Sequence, residues 1–218
     1  MNSWTEYYKL KIQKVGFLEY YNSKIGKNKS FLAIVERYGE KTKKLVMESG
    51  IGTSFFLVYL NKKGFECAGI DKEKGIIEFG KFIAKKFKVK IHFYLQDLMK
   101  TNFAEKTFGV SFNLGVMEHF LDKEIIRAIR EQTRIADYYI FAIPSENVLR
   151  PNSEYFGDER YLSARTWEDL ITKAGAKLEL KAGYRFEHKR FFSLLYNLFN
   201  VYYHKATFFV YVVKRREI

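Results

Sequence analysis

The chain has 218 residues, 47% apolar and 18% aromatic, with 38 basic against 25 acidic side chains and a formal net charge of +13. Its length and apolar content suffice for one sizeable core, while the single cysteine, Cys67, excludes an internal disulfide framework and, with only four scattered histidines, argues against a metal site. No apolar run reaches the roughly 18 residues of a membrane span, and Met1 opens no charged-then-apolar leader, so the expected compartment is the cytoplasm.

In chain order, Trp4, Tyr8, Ile12, Val15 and Leu18 recur at helical spacing, with Lys9, Lys11 and Lys14 on other faces, and predict one amphipathic helix. A second helix is expected over about 30–38. There follow a strand at 43–48, a helix at 53–62, a strand at 66–70, a helix at 73–86 and strands at 90–95 and 109–114. A helix at 119–135 and a strand at 138–143 complete an alternating pattern that argues a parallel sheet with helices on both faces. Pro144 to Ser163 reads as a long connection and a candidate lid. After it come a helix over 166–174 capped by Thr166 and ended by Gly175, a strand at 177–183, an aromatic helix at 191–203 and a last strand at 207–213.

The most informative stretch is Leu45 to Ser54, an apolar run that ends in Glu48 and turns through Gly50 and Gly52. Asp71 closes the next strand nineteen positions after Gly52, where a carboxylate can hold a ribose. A dinucleotide turn needs a third glycine three positions after the second. Phe55 stands there, which disfavours NAD and FAD.

The order Glu48-x-Gly50-x-Gly52 resembles the first motif of the class I S-adenosylmethionine-dependent methyltransferases. Three later segments extend the resemblance, so that it covers about 43–143. Asp71 matches the acid that takes both ribose hydroxyls, which suits a group able to accept two hydrogen bonds. Gln96-Asp97-Leu98 matches the segment whose acid receives the adenine amino group while the next backbone amide faces the ring. Leu114-Gly115-Val116-Met117-Glu118-His119-Phe120 resembles the Leu-Glu-His signature of small-molecule methyltransferases.

The resemblance implies S-adenosyl-L-methionine as cofactor and S-adenosyl-L-homocysteine as product, held by Glu48, Gly50, Gly52, Thr53, Asp71, Lys72, Asp97, Leu98, Leu114 and Gly115. It also implies an α/β fold, a Rossmann-like doubly wound seven-stranded sheet, mostly parallel with an antiparallel last strand, plus N-terminal helices. The expected organisation is a single domain with a helical cover (1–42), a cofactor-binding core (43–143) and a substrate side (144–218). Asp71, Asp97 and Leu114-Gly115 all fall at carboxyl ends of predicted strands, where such sheets bind ligands.

His119 is the candidate catalytic base. The alternative is that Glu118 and His119 only open the helix and pack beside the cofactor. The expected acceptor is a small molecule methylated on oxygen or nitrogen, with an anionic or aromatic character that Arg150, Arg160, Arg165, Arg185 and the rings at Tyr155, Phe156, Tyr161, Tyr184, Phe186, Phe191, Phe192 and Tyr196 could serve. Those rings could equally pack a core.

The charge excess sits at the ends. Residues 1–47 hold ten basic and four acidic side chains, residues 181–218 eight and two, and residues 48–180 twenty and nineteen. Basic flanks leave RNA and an acidic membrane surface open as partners beside a merely solvated surface, so an rRNA or tRNA methyltransferase is an alternative. Against it, Asn113-Leu114-Gly115-Val116 is not the Asn/Asp-Pro-Pro-Tyr of exocyclic-amine base methylases, and no cysteine follows that strand. A non-catalytic module keeping the fold is a third reading, which retention of Glu48, Asp71 and Asp97 opposes.

Overall fold

The computed structural model describes residues 3–146, 159–184 and 206–216. Three helices come first, α1 (Trp4–Val15), α2 (Phe17–Lys27) and α3 (Lys29–Thr42). The single amphipathic helix expected through Leu18 is thus two: Gly16, at φ +92°, sits in a conformation that side chains resist and turns the chain between them. Ser3 caps α1 by accepting from the Glu6 amide at 3.2 Å. The second predicted helix is longer than its pattern, and its end at left-handed Lys43 delays the first strand.

The strands and helices then alternate: β1 (Val46–Ser49), α4 (Phe55–Lys62), β2 (Cys67–Asp71), α5 (Lys74–Phe87), β3 (Ile91–Leu95), β4 (Phe108–Leu114), α6 (Asp122–Ile135), β5 (Ala136–Pro144), α7 (Ala164–Lys173), β6 (Ala176–Tyr184) and β7 (Phe208–Arg215). The seven strands form one sheet in the order β3-β2-β1-β4-β5-β7-β6. Pairing from β3 through β5 is parallel, and β7 runs antiparallel to both β5 and β6. This is the Rossmann-like sheet with an antiparallel last strand. Strand order reverses between β1 and β4, which places a crevice beyond their carboxyl ends.

Alternation along the strands divides the core between two faces. Tyr139, Phe141 and Ile143 of β5 pack with Ile125 and Ile129 of α6 and Trp167 of α7, whereas Ile140 and Ala142 pack with Phe31 and Val35 of α3 on the other face. A third cluster lies outside this sandwich, where Phe55 and Val58 of α4 and Phe79 and Ile83 of α5 meet Ile12, Phe17, Tyr20 and Tyr21. Phe55, the ring in place of a third glycine, meets Phe17 edge-on with centroids 5.6 Å apart and Tyr21 at 5.2 Å. The residue that spoils a dinucleotide turn therefore anchors α2 against the core.

Two local expectations are corrected. The helix after the long connection is capped by Ser163, whose side chain accepts from the Thr166 amide, so Thr166 lies inside α7. The helix expected from residue 119 begins at Asp122, and Met117–His119 form a separate 3₁₀ turn. The tip of the candidate lid (147–158), the aromatic helix (191–203), Arg150, Tyr155, Phe156, Arg185, Phe186, His188, Phe191, Phe192, Tyr196 and His204 lie outside the described residues.

Candidate functional site

The loop after β1 holds its shape through the backbone. Gly50 and Gly52 take φ +79° and +47°, and Ser54 takes left-handed φ 54°. Serine tolerates that conformation here because its amide donates to Ile51 O at 2.6 Å and its hydroxyl to Thr53 O at 2.7 Å. A Cβ on Gly50 would lie 2.9 Å from Val116, and one on Gly52 2.7 Å from the Tyr8 hydroxyl. Helix α1 thus lays Tyr8 directly on the glycine loop.

A cleft of about 460 Å³ opens beyond the strand ends. It gathers Gly50 and Gly52 after β1, Asp71 and Lys72 at the tip of β2, Asp97 and Leu98 after β3, and Gly115 and His119 after β4. Glu48 and Thr53 are buried and do not line it, and Leu114 faces a second chamber. That chamber, of about 370 Å³, is lined by Tyr7, Tyr20, Lys24, Lys27, Glu118 and Tyr161 among others. The two share Trp4, Tyr8, Gly115 and His119.

Electrostatics distinguish the acids. Burial holds the Glu48 carboxyl well above the usual carboxylate range, a rise that the positive charge of Lys24 opposes and the negative charge of Asp71 reinforces. Glu48 Oε2 is buried with no hydrogen-bond partner among the described residues. A buried carboxyl with spare acceptor capacity favours a cationic donor beside it. Burial likewise pushes Asp71 up to about 6, against the Glu73 amide that donates to its Oδ1 at 2.9 Å. Asp97 accepts from the Met99 amide at 2.8 Å, which fixes the turn after β3.

Several residues that position the site carry no motif in the sequence. Gln132 of α6 receives the Ser111 hydroxyl at 2.5 Å and donates to Leu98 O at 2.6 Å, pinning the cleft floor to the sheet. Glu131 accepts from both the amide and the hydroxyl of Thr101, at 2.8 and 2.6 Å, and pairs with Arg134 at 2.8 Å. Arg160 clasps the 3₁₀ turn: its amide donates to Glu118 O at 2.9 Å, and its guanidinium reaches Phe120 O and Asp122, both at 2.6 Å. Arg160 therefore holds the loop that carries His119, and Arg165 is exposed on α7. The His119 ring meets Trp4 edge-on at 5.6 Å. Helical spacing marks Trp4 and Tyr8 only as an apolar stripe, and nothing in it says that the stripe faces a ligand cleft.

Residues 46–137 match the family model of a methyltransferase domain. No curated protein matches the chain. Among solved structures, the PH0226 protein of Pyrococcus horikoshii OT3 superposes with TM-score 0.69 at 18% identity, covering 97% of this chain and 99% of its own. A S-adenosylmethionine-dependent methyltransferase of Clostridium acetobutylicum gives 0.67 at 12%, with coverages of 92% and 98%. Magnesium protoporphyrin IX methyltransferase of Synechocystis PCC 6803, solved with bound SAM, gives 0.63 at 14%, with coverages of 93% and 85%. Residues 46–137 thus match a methyltransferase domain, and the chain shares the fold of these solved structures.

Proposed function

We propose that this methyltransferase-domain chain moves the methyl group of S-adenosylmethionine to an oxygen or nitrogen of a small acceptor seated in the second chamber. The observation that carries the reading is the meeting of two chambers at Gly115 and His119, one lined by the strand-end acids and glycines and the other by rings and lysines of the helical cover. The residues of the first fit the cofactor. Gly50 and Gly52 let a ligand approach the backbone, Asp71 can accept two hydroxyls, Asp97 and the Leu98 amide can read an adenine edge, and the unsatisfied Glu48 oxygen suits a cationic neighbourhood. When bound, the cofactor supplies an electrophilic methyl group on a sulfonium.

The protein's own part is largely positioning, which can supply up to roughly 7–11 kcal/mol of barrier lowering. Tyr8 lies against Gly52 and Trp4 stacks on Tyr8, so two rings of α1 wall the cleft beside the glycine loop. Arg160 fixes the 3₁₀ turn so that the His119 ring stands on the boundary between the chambers. There the imidazole can take the proton that the acceptor's hydroxyl or ammonium loses, a contribution on the order of 10²- to 10⁴-fold. Lys24 and Lys27, one helical turn apart on α2, give the acceptor side a basic wall suited to an anionic group. A small acceptor is favoured over RNA by the size of the chamber, about 370 Å³.

Calorimetric titration with S-adenosylhomocysteine and with NAD tests the first half. Binding of the former alone, lost in Asp71→Ala, is expected, and NAD binding would overturn it. For the second half, label from methyl-tritiated cofactor should enter the small-molecule fraction of a cell extract. Label confined to RNA would replace the small acceptor with the nucleic-acid reading.

A further inference from the structure

Four of the seven large apolar side chains left exposed among the described residues stand on the three helices that pack together at one corner of the molecule: Leu10 (54% exposed) and Val15 (38%) on α1, Leu18 (64%) on α2 and Phe82 (56%) on α5. Between α1 and α5 runs a groove of about 570 Å³ lined by Lys9, Ile12, Phe17, Phe79 and Phe82. It is separate from both chambers of the methyl-transfer site and is not used by the proposed chemistry. Phe79 and Phe82 stack with centroids 6.3 Å apart, the Phe79 ring buried beneath the exposed Phe82.

The surroundings are strongly basic. Helices α1 and α5 together carry seven lysines against two glutamates, Glu6 and Glu78. Glu78 is held by Lys81 at 2.8 Å, and the Lys86 ammonium lies 4.3 Å from the centre of the Phe17 ring. Lys9, Lys14, Lys81, Lys85 and Lys86 are exposed around the apolar residues. Lysines of this kind keep their stems on apolar surface and their charges at its edge.

We propose that this corner is a membrane-docking face, on which Leu10, Val15, Leu18 and Phe82 enter the acyl boundary of an anionic bilayer while the surrounding lysines meet lipid phosphates. The combination of a shallow apolar surface with a basic rim is what interfacial binding requires. No helix among the described residues is long and apolar enough to cross a membrane. RNA is a poorer match, because three of the four exposed residues are aliphatic and offer no ring on which a base could stack. A second copy is a poorer match too, because a two-fold contact would set the same lysines against one another. The proposal stands apart from the methyl-transfer reading, although α1 joins the two: its Trp4 and Tyr8 cover the cofactor cleft.

The test is sedimentation of the full chain with vesicles of phosphatidylcholine alone and of phosphatidylcholine mixed with phosphatidylglycerol. Binding to the mixed vesicles only is expected. The double variant Leu10→Ser/Phe82→Ser keeps every charge and replaces exposed side chains, and should bind about tenfold more weakly, with circular dichroism unchanged. Equal binding by that variant would reduce the effect to general attraction of a basic protein and overturn the proposal, as would no binding by the native chain. A Phe82→Trp reporter should shift its emission to the blue on mixed vesicles and be quenched by brominated acyl chains. An unshifted reporter, or a native dimer on size exclusion that the double variant abolishes, would also overturn it.

Discussion

The two chambers of the site are built from different material. The first chamber, read here as the cofactor side, is made at the tips of β1, β2, β3 and β4, from backbone conformation and buried acids: glycines at positive φ, a carboxyl raised to about 6 at Asp71, and Glu48 beneath the loop. The second chamber, read here as the acceptor side, adds side chains of α1 and α2 and the short segment around Tyr161 to the strand ends at Leu114, Pro144 and Phe208. The first tolerates little change because strand register fixes every position. The second can be rebuilt by changing a ring or a lysine without disturbing the sheet, which explains how one fold can serve many acceptors.

The sharpest way to break that contrast is at Gly52. A valine there would need φ +47° and would place its Cβ 2.7 Å from the Tyr8 hydroxyl, so both loop and cover must move. Gly52→Val should abolish S-adenosylhomocysteine binding in calorimetry, with the melting transition still cooperative. His119→Asn comes next. It should lower turnover by about 10²- to 10⁴-fold while leaving cofactor affinity within a factor of about two. If turnover is near normal, Glu118 and His119 only pack in the 3₁₀ turn without a proton to move, and the boundary between the chambers carries no base.

This difference in material also decided what could be read in advance. The glycine loop, the acid at Asp71 and the Asp97-Leu98 pair are sequence-local: each sits within a few residues of a strand end, so spacing exposes its place in the cleft. Asp71 and Gly115 meet in one cleft because the strand order reverses between β1 and β4, and alternation of strands and helices predicts such a crevice. The helical cover obeys no such rule. Trp4 and Tyr8 have the spacing of ordinary core residues, Gly16 divides a stripe that reads as continuous, and Arg160 reaches a turn forty residues upstream. Gln132 shows the same difficulty from within the core. It is a buried polar residue on an amphipathic helix, and only the Leu98 carbonyl it meets across 34 residues reveals its use.

Asp71 gives a milder test, and its sign can be worked out. Its folded pKa is raised by burial to about 6, so its contribution to the stability of the ligand-free chain is fully present below the unfolded value and is lost as pH rises through about 6. Ribose hydroxyls donating to the ionised form favour it, and cofactor affinity should therefore run the other way. Affinity is expected to be full above pH about 6 and to fall by up to about tenfold per pH unit below it. Asp71→Asn should flatten that slope near pH 6, bind more weakly at neutral pH, and raise the ligand-free melting temperature. A native affinity constant from pH 5 to pH 7 would show that the acid is not what the ligand reads.

The smallest expected effect lies at Arg160, where the comparison becomes most discriminating. Its guanidinium is half-buried against the Phe120 carbonyl and Asp122 at 2.6 Å each, and these contacts hold the 3₁₀ turn rather than either ligand. Arg160→Ala removes charge-assisted hydrogen bonds worth about 1–2 kcal/mol, and the melting temperature should fall by a few degrees at the size of this chain. If the turn only needs to exist, the loss stops there. If the turn has to hold the His119 ring on the boundary, turnover should drop several-fold with S-adenosylhomocysteine affinity unchanged, and Arg160→Lys should restore part of the stability but little of the rate, because an ammonium cannot make the forked contact to a carbonyl and a carboxylate together. Equal loss of affinity and rate would instead tie Arg160 to the cofactor side, and the division between strand tips and helical cover would have to be redrawn around it.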